Sequence, residues 1–481
     1  MAKFPEKWSS FGAKTTIYQY LTIFLSCTSC LNSRADLSLS QVTPEATPPL
    51  IPQEVIQAHP VRTLPGKLDS IPTFNSNSPE VVQSEGILVS TLPSTGKNTP
   101  KAHLNFPLRG RFDVFAHHIA KGTSPLDLRT LYLGIIVHNP NRQALKIKVL
   151  QAASYLSQPD APFIELPPYT DNAQGTVYAG PGDRVMNDVL RGLREAEFPS
   201  QVVIPPQGYA MLLNHPIPTK TFIPPLNGRS TLMRLRTNRQ VYVASLAMFA
   251  KSNPDGSDRP PTLAEWQELL KSGNLVTPRD LAPTPPDEKG KIIYGRVAGV
   301  AAGSVWKGKL VDPNSQYLSI PKPDGAYSYP IATVPGGTLG TSQIQSAPML
   351  VRYPDTAYRA HGNYGIEYSL SLPLKNTTQQ EQKVTIALQT PIKADLISQG
   401  LRFLEPPAKQ TWFRGTVRLQ YQDDSGLVQD KYIHLVQKRG QSGQPLVSLK
   451  MPKGDSRLIK INFLYPPDAT PPQVLTIKTE P

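Results

Sequence analysis

Proline constrains the fold of this sequence more than any other residue, because 51 of its 481 residues are proline. That is about twice the usual share of ~5%. Proline lacks a backbone N–H and clashes with the preceding turn, so it is excluded from helix interiors and central strands. The sequence therefore predicts short strands, many turns and few helices, and its length indicates two or three domains.

The N-terminus has the pattern of an export signal. Lys3, Lys7 and Lys14 precede a mostly apolar run over residues 17–26. At about 1.5 Å per residue this run covers roughly half of a ~30 Å hydrocarbon core, so it is too short to span a membrane. A short apolar run behind a basic start is typical of a secretory signal peptide, which we predict over residues 1–35.

This leader can be processed in more than one way. The sequence SRA at 33–35 fits cleavage after Ala35. The sequence FLSC at 24–27 instead resembles a bacterial lipobox with lipid on Cys27, and an uncleaved anchor is the third alternative. Cleavage after Ala35 would remove both cysteines of the chain, Cys27 and Cys30, and with them all thiolate chemistry.

Composition divides the rest of the chain into a linker and two domains. A segment rich in Pro, Ser, Thr and Gln follows the leader and predicts a disordered linker. Alternating apolar residues between Gly and Pro turns then predict β-strands. We predict a mostly β protein with two β-sandwich-like domains and a few short helices. The predicted parts are a flexible linker (36–60), a first β-rich domain (61–255), a helix and Pro-rich connection (256–290) and a second β-rich domain (291–481).

Several segments have the pattern of a β-hairpin, with an apolar strand, a polar turn and a second strand. Two of them share a turn that begins with asparagine, at Asn139 and Asn376. They are either copies of one duplicated sandwich or two ordinary hairpins. The predicted hairpins cover residues 128–156, 231–250, 364–391 and 411–438.

Two short helices are also predicted. Thr262 and Glu265 form a capping-box pattern before an apolar run that ends at Gly273. Earlier in the chain, Val185 and Val189 have helical spacing. Asp183 is predicted to cap that earlier helix.

The charge of the chain favours anionic partners. Its net charge is +14, and for an exported protein this favours contact with acidic polysaccharide, a cell-wall polymer or lipid head groups. The basic residues are scattered and are not grouped with stacking aromatics, so we expect no nucleic-acid binding. A solvated basic surface with no partner is the alternative.

Aromatic and arginine side chains in predicted loops are candidates for sugar binding. Aromatic faces stack on sugar rings, and arginine binds acidic groups. We expect these side chains to be exposed, although aromatic residues also anchor the corners of sandwiches. The candidates are Tyr327, Tyr329, Tyr353, Tyr358, Arg359, Trp412 and Arg414.

The segment GRFDVFAHH at 110–118 contains the best candidates for chemistry. On a strand, Asp113 and His117 share one face and His118 lies on the other. These three residues are weak candidates for a catalytic acid/base group. Metal sites usually use three protein ligands that converge, so we predict no metal site and no cofactor. The alternative is that neighbouring apolar residues bury the whole segment.

Several long stretches resemble a family of uncharacterised exported proteins from cyanobacteria. They include SIPTFNSNSPEVVQSEGILVST (70–91), GRFDVFAHHIAKG (110–122) and YAGPGDRVMNDVLRG (178–192). The resemblance runs from about residue 60 to the C-terminus. It implies a cyanobacterial source and an exported location, and it implies no activity.

The sequence thus predicts an exported envelope protein without enzymatic activity that binds anionic polysaccharide or a wall polymer. It would lie in the periplasm, the outer envelope or the extracellular space. A secreted polysaccharide hydrolase and an envelope assembly factor are the alternatives. Contact with a membrane is expected only if Cys27 carries lipid, and the sequence predicts no oligomeric state.

Overall fold

The computed structural model describes residues 51–288 and 290–481. The predicted signal peptide and Cys27 lie outside the described residues. The fold is mostly β, as predicted. The described part contains the α-helices α1 (Pro181–Leu190) and α2 (Leu263–Ser272). Neither of these helices is long and apolar enough to cross a membrane.

The strands are numbered in chain order. Those of the first half are β1 (Gln53–Gln57), β2 (Lys67–Leu68), β3 (Pro72–Ser76), β4 (Val81–Val82), β5 (Gly86–Ser90), β6 (Leu108–Lys121), β7 (Leu131–His138), β8 (Leu145–Leu156), β9 (Tyr169–Asp171), β10 (Gln201–Ile204), β11 (Tyr209–Ile217), β12 (Leu226–Phe249), β13 (Lys251–Ser252) and β14 (Asp258–Arg259). Those of the second half are β15 (Ala298–Ala302), β16 (Val305–Lys309), β17 (Leu318–Ser319), β18 (Ala326–Ile331), β19 (Ala347–Arg352), β20 (Arg359–Ala360), β21 (Glu367–Lys375), β22 (Gln382–Gln389), β23 (Leu401–Glu405), β24 (Thr411–Gln422), β25 (Val428–Lys438), β26 (Pro445–Met451), β27 (Ser456–Leu464) and β28 (Gln473–Thr479).

The first sandwich consists of two sheets that share the long strand β12. One sheet has the order β10-β8-β12-β6-β3-β15-β19, and the other pairs β11 with β7, and β7 and β5 with β12. Residues 229–237 of β12 belong to the first of these sheets and residues 242–249 to the second. Apolar side chains such as Phe112, Ile147 and Leu235 form the core of this sandwich.

The second sandwich has a four-stranded sheet and a longer one. The four-stranded sheet has the order β18-β28-β22-β26, and the longer sheet has the order β2-β16-β21-β27-β24-β25-β9. Side chains from both sheets, among them Tyr327, Ile386 and Phe463, are buried between them. The predicted pair of sandwich-like domains is therefore present.

The two sandwiches exchange segments along the chain. Strand β1 lies within the predicted flexible linker, yet it pairs with β23 from the second half. Strand β2 pairs with β16 of the second sandwich. In the other direction, β15 pairs with β3 and joins the first sandwich. The linker prediction is therefore wrong for residues 53–57.

Three of the predicted hairpins are also wrong. Strands β7 and β8 exist, but they pair with different halves of β12 and not with each other. Strands β21 and β22 likewise lie in different sheets. Residues 231–250 are mostly one continuous strand, β12, whose register shifts between Thr237 and Val241. The alternation of apolar and polar residues predicts which face of a strand is buried, but it does not predict which strand is its hydrogen-bonded partner. The hairpin at 411–438 is confirmed as β24 with β25.

The two asparagine turns have the same structure. The side chain of Asn139 accepts a hydrogen bond from Asn141 N at 2.9 Å, and that of Asn376 accepts one from Thr378 N at 2.8 Å. Each Nδ2 donates to the carbonyl four residues later and to two successive carbonyls at a strand end. The acceptors are Gln143, Ile204 and Pro205 for Asn139, and Gln380, Met451 and Pro452 for Asn376.

The strands around these turns match in the same order. Strand β7 pairs with β11 as β21 pairs with β27, and β8 pairs with β10 as β22 pairs with β26. Strand β28 occupies the place of residues 229–237 of β12, and β18 occupies the place of β6. The two sandwiches therefore repeat one structural unit, which favours duplication over two unrelated hairpins.

Both predicted helices are present, with one correction. Helix α2 has the predicted capping box of Thr262 with Glu265 and is followed by Gly273. Helix α1 begins after Gly180, whose φ of 93° suits glycine, and it has no side-chain cap. Asp183 is therefore not the N-cap. It lies inside the first turn and accepts a hydrogen bond from Ala179 N at 2.8 Å.

Candidate functional site

The outer face of the four-stranded sheet of the second sandwich forms a groove of about 560 Å³. Alternation along β22 buries Val384 and Ile386 in the core and turns Thr385 and Ala387 toward the groove. Residues 57–60 lie along one side of it. We call this surface the β22 groove.

A chain of hydrogen bonds crosses the floor of the β22 groove. Thr476 donates its hydroxyl proton to Gln389 Oε1 at 2.7 Å. Ser328 Oγ lies 2.7 Å from Thr476 Oγ1, so Ser328 is the donor of that pair. His59 Nε2 lies 2.7 Å from Ser328 Oγ and donates to it. Because the Ser328 proton is directed to Thr476 and Ser328 is fully buried, His59 does not prime it as a nucleophile.

Ser442 presents a hydroxyl group at the rim of the β22 groove. Its oxygen accepts hydrogen bonds from Gln389 Nε2 at 3.0 Å and from Gln57 Nε2 at 3.1 Å. A hydroxyl that already accepts two hydrogen bonds still has its own proton to donate. Ser442 is exposed, so this proton can be donated to a ligand in the groove.

Exposed lysines lie at one end of this face. Lys383 and Lys450 face each other across β22 and β26, and Lys478 follows on β28. Glu480 accepts a hydrogen bond from Lys478 at 2.7 Å, and this bond lowers the pKa of the Glu480 carboxyl group. Asp324 is a second carboxylate in the groove lining. The surface therefore combines positive charge with hydroxyl and amide groups.

Part of the equivalent face of the first sandwich is covered, at Asp113 and Arg234, while Lys146, Lys148 and Leu150 on the same face of β8 are exposed. Asp113 and Arg234 oppose each other there as Ser328 and Thr476 do in the second sandwich. Arg234 Nη2 donates to Glu367 of the second sandwich at 2.8 Å. Asp113 is 1% exposed. The second sandwich therefore covers this face of the first sandwich at Asp113 and Arg234, whereas the same face of the second sandwich carries the β22 groove.

The structure does not bring the predicted group of Asp113, His117 and His118 together around one cavity. Asp113 and His117 share a face of β6, as predicted, and His118 lies on the other face. Asp113 forms an ion pair with Arg111. His117 Nδ1 lies 2.7 Å from Ser230 Oγ, and His118 Nδ1 donates to the carbonyl of Pro79 at 2.9 Å.

Burial keeps both histidines of β6 neutral. It lowers the pKa of His117 to about 4 and that of His118 to about 3. Burial also raises the pKa of the Asp113 carboxyl group, and the guanidinium groups of Arg111 and Arg234 oppose this shift. Within residues 51–288 and 290–481, no group of three or more His, Cys, Asp or Glu side chains is placed to hold a metal ion.

The expectation of exposed aromatics is wrong for Tyr327, Tyr329 and Tyr353, which are 3%, 2% and 1% exposed. Alternation along β18 turns Tyr327 and Tyr329 into the core and Ser328 toward the groove. Tyr353 is buried against the first sandwich and donates its hydroxyl proton to the carbonyl of Ala102 at 2.7 Å. None of these three side chains can stack on a sugar.

The other four candidates are more accessible but engage protein partners. The guanidinium of Arg352 lies 3.8 Å from the ring centre of Tyr358, and Arg359 is exposed. Trp412 is half-buried. Arg414 Nη1 donates to Asp468 at 3.3 Å. The hypothesis that they form one sugar-binding surface stays untested.

Sequence reasoning missed the residues of the β22 groove. His59 fell within the predicted linker, and Gln389, Ser442 and Thr476 were assigned no role. The available signal was the alternation in KVTIALQ (383–389) and VLTIKT (474–479), where most of the outward positions carry polar or basic residues. That signal identifies a polar sheet face, and only the fold shows that the two segments are neighbours.

Comparisons with known proteins bear on the family alone. No curated protein matches the chain. Among solved structures, Lac15 from a marine microbial metagenome is 9% identical, with 78% of this chain and 53% of that chain covered and a TM-score of 0.10. This chain thus spans about half of Lac15. The 11S allergen from Cocos nucifera is 10% identical, covering 78% and 87% with a TM-score of 0.10. Procruciferin, an 11S globulin from Brassica napus, is 10% identical, covering 88% and 85% with a TM-score of 0.09.

Scores this low carry no argument about this protein. The match to a protein family is different in kind, because it covers nearly all of the described residues. Residues 59–479 match a single family, from His59 in the β22 groove to the end of β28. The chain belongs to the family described as "Protein of unknown function (DUF3370)".

Proposed function

We propose that this protein is an exported cell-envelope protein of a cyanobacterium that binds an anionic polysaccharide or wall polymer in the β22 groove, without catalysing a reaction. The observation that carries the proposal is the open outer face of the second sandwich, with its groove of about 560 Å³. The export pattern of the leader and the net charge of +14 support the location and the class of ligand.

The chemistry of the groove floor supports a hydroxyl-rich ligand. Sugar hydroxyl groups both donate and accept hydrogen bonds, so they need amide and hydroxyl partners. Gln57, Gln389 and Ser442 supply such groups, and their mutual hydrogen bonds hold them in place before a ligand arrives. A site that is already ordered loses less entropy when it binds.

The lysines at the end of the groove support an acidic ligand. Lys383, Lys450 and Lys478 are exposed, and only Lys478 has an ion-pair partner in the described part of the chain. An anionic polymer that crosses the sheet would pass these side chains. The charge of Glu480 offsets part of this attraction, so the hydrogen-bonding floor contributes to the affinity as well.

The duplicated unit supports this choice of surface. In the first sandwich the equivalent face buries Asp113 and Arg234 against the second sandwich. In the second sandwich the same positions hold the small polar residues Ser328 and Thr476. These two side chains are 0% and 5% exposed, so they form the base of the groove, and a ligand reaches the exposed residues above them, such as Ser442.

The test is retention on purified polymers. The full chain, with Cys27→Ser to prevent lipidation, is sedimented with peptidoglycan and with an acidic exopolysaccharide at low and high salt. The variant K383Q/K478Q should lose roughly tenfold in retention on the bound polymer at low salt, because two exposed charges each contribute up to about 1 kcal/mol. The loss should be smaller at high salt, which screens these charges.

The matched control is K146Q/K148Q. Lys146 and Lys148 are exposed on β8, the strand that takes the place of β22 in the first sandwich. This variant has the same change in net charge and should keep its retention. Equal losses in both variants would refute a specific groove. Release of soluble fragments from the polymer would instead support the hydrolase alternative.

A further inference from the structure

Two loops meet at one end of the first sandwich. The loop at 122–130 joins β6 to β7, and the loop at 218–225 joins β11 to β12. Leu226 lies opposite Lys121, and Ile217 lies opposite Leu131, so all four strands end at this edge. The pairing of strand ends places the two loops side by side.

Each loop exposes a large apolar side chain almost completely. Leu126 is 89% exposed, and Ile223 is 95% exposed. Leu128 and Leu226 are 38% and 40% exposed in the same region. Single exposed apolar residues are ordinary on protein surfaces. A group of them on adjacent loop tips marks a contact site.

The bases of the loops are held by hydrogen bonds. Asp127 accepts from Thr123 N at 3.1 Å and from Arg129 at 2.8 and 3.0 Å. Gly122 N donates to the carbonyl of Pro225 at 3.3 Å and so joins the two loops. These bonds fix the loop bases while the apolar tips remain in solvent.

Exposed basic side chains lie in or directly beside the two loops. Lys121, Lys220 and Arg129 are exposed, and Arg129 neutralises Asp127. Apolar tips with flanking basic residues are the arrangement that binds the surface of an anionic bilayer, because apolar groups enter the acyl boundary while cations contact lipid head groups. Protein–protein interfaces, by contrast, contain fewer lysines than the rest of the protein surface.

We propose that the loops at 122–130 and 218–225 insert their tips into the surface of an anionic lipid bilayer. Leu126 and Ile223 enter the interface, and Lys121 and Lys220 contact the head groups. This contact holds the protein at a membrane without any lipid on Cys27. It is independent of the β22 groove, because it uses the other sandwich.

The experiment follows the polarity around each tip. In the full chain with Cys27→Ser and Cys30→Ser, one cysteine is introduced as L126C or as I223C and labelled with a polarity-sensitive fluorophore. Vesicles of phosphatidylglycerol mixed with phosphatidylcholine should shift the emission to the blue at both positions, and vesicles of phosphatidylcholine alone should not. Adding K121Q/K220Q should raise the lipid concentration for half-maximal shift by on the order of tenfold.

The matched control is L396C in the same background. Leu396 is 87% exposed, so the label there starts in nearly the same environment as at Leu126. Its emission should stay unchanged when vesicles are added. The proposal is overturned if the label at either Leu126 or Ile223 shows no blue shift with the phosphatidylglycerol vesicles. Binding of the protein to the vesicles does not change that result, because the leader can also hold the protein there. An equal shift at Leu396 also overturns it, because contact would then not be specific to the loops.

Discussion

The carboxylate of Asp183 lies 2.6 Å from Nε2 of His434, and neither side chain is exposed. Asp183 belongs to α1, which packs against β8 and β12 of the first sandwich, and His434 belongs to β25 of the second. Helix α1 therefore joins the two sandwiches through a buried polar pair. The repeated units are held in one arrangement by a contact that neither unit forms alone.

The variant D183A should destabilise the protein strongly. It leaves His434 Nε2 buried without its acceptor and removes the acceptor for Ala179 N. Leaving a buried hydrogen-bond donor without an acceptor typically costs about 1–3 kcal/mol, and D183A does this to two donors. We expect a loss of that size in the free energy of unfolding, measured with urea. The exposed Asp287 provides the control D287A, with an expected change below about 0.5 kcal/mol. A loss below about 1 kcal/mol for D183A would show that the pair does not stabilise the fold.

The variants N139A and N376A should have similar effects, because the two side chains make equivalent hydrogen bonds. Each substitution leaves several buried carbonyl groups without a donor, so we expect each to lower the free energy of unfolding by about 2–4 kcal/mol. Asn98 is exposed, and N98A is the control. A large loss in one variant and none in the other would contradict the equivalence of the turns.

Much of this fold could be predicted from the sequence at the level of single elements. Strands β7, β8, β21 and β22 and the capped helix α2 all follow from apolar spacing and capping residues. Their partners do not follow, because a strand in a sandwich can pair within its own hairpin or cross to the opposite sheet with the same alternation. The sequence TNRQ (237–240) predicts a turn in what is one long strand, β12. The reason is that a β-bulge and a turn contain the same kinds of polar residue.

The candidate site could not be predicted for the same reason. Burial of Tyr327 and exposure of the groove face depend on which face of β18 meets β21 and β27, and that is a property of the whole sandwich. His59 and Ser328 are separated by 269 positions in the chain, and their hydrogen bond depends on the N-terminal segment crossing to the second sandwich.

The pH dependence of stability should reflect the neutral state of His118. Burial lowers its pKa from 6.5 to about 3. Between these values the unfolded chain binds a proton that the folded chain does not, so stability falls as pH drops below about 6.5. One such group contributes a slope of up to ~1.4 kcal/mol per pH unit. The variant H118N should remove that slope between pH 4 and 6, measured by urea unfolding at several pH values.

Asp468 should act in the opposite direction. Burial, aided by the charge of Asp183, raises its pKa to about 6, although Arg414 opposes the shift. The folded chain then holds a proton that the unfolded chain has lost between about pH 4 and 6, so this group reduces stability as pH rises. D468N should therefore make the rise of stability with pH steeper. A slope unchanged in H118N and in D468N would mean that neither group titrates differently on folding.

The sharpest test of the β22 groove is a substitution that adds positive charge inside it. Ala387 lines the groove on β22, and A387R would place a guanidinium group inside it. If the polymer binds through diffuse charge, one more cation should strengthen retention. If the polymer occupies the groove, retention should fall by more than about tenfold, because the introduced arginine side chain fills the space that the polymer needs. Leu150 takes the same position on β8 of the first sandwich and is 41% exposed, so L150R adds the same charge outside the groove. We expect L150R to bind the polymer at least as well as the parent protein, and a gain in retention for A387R would refute the site.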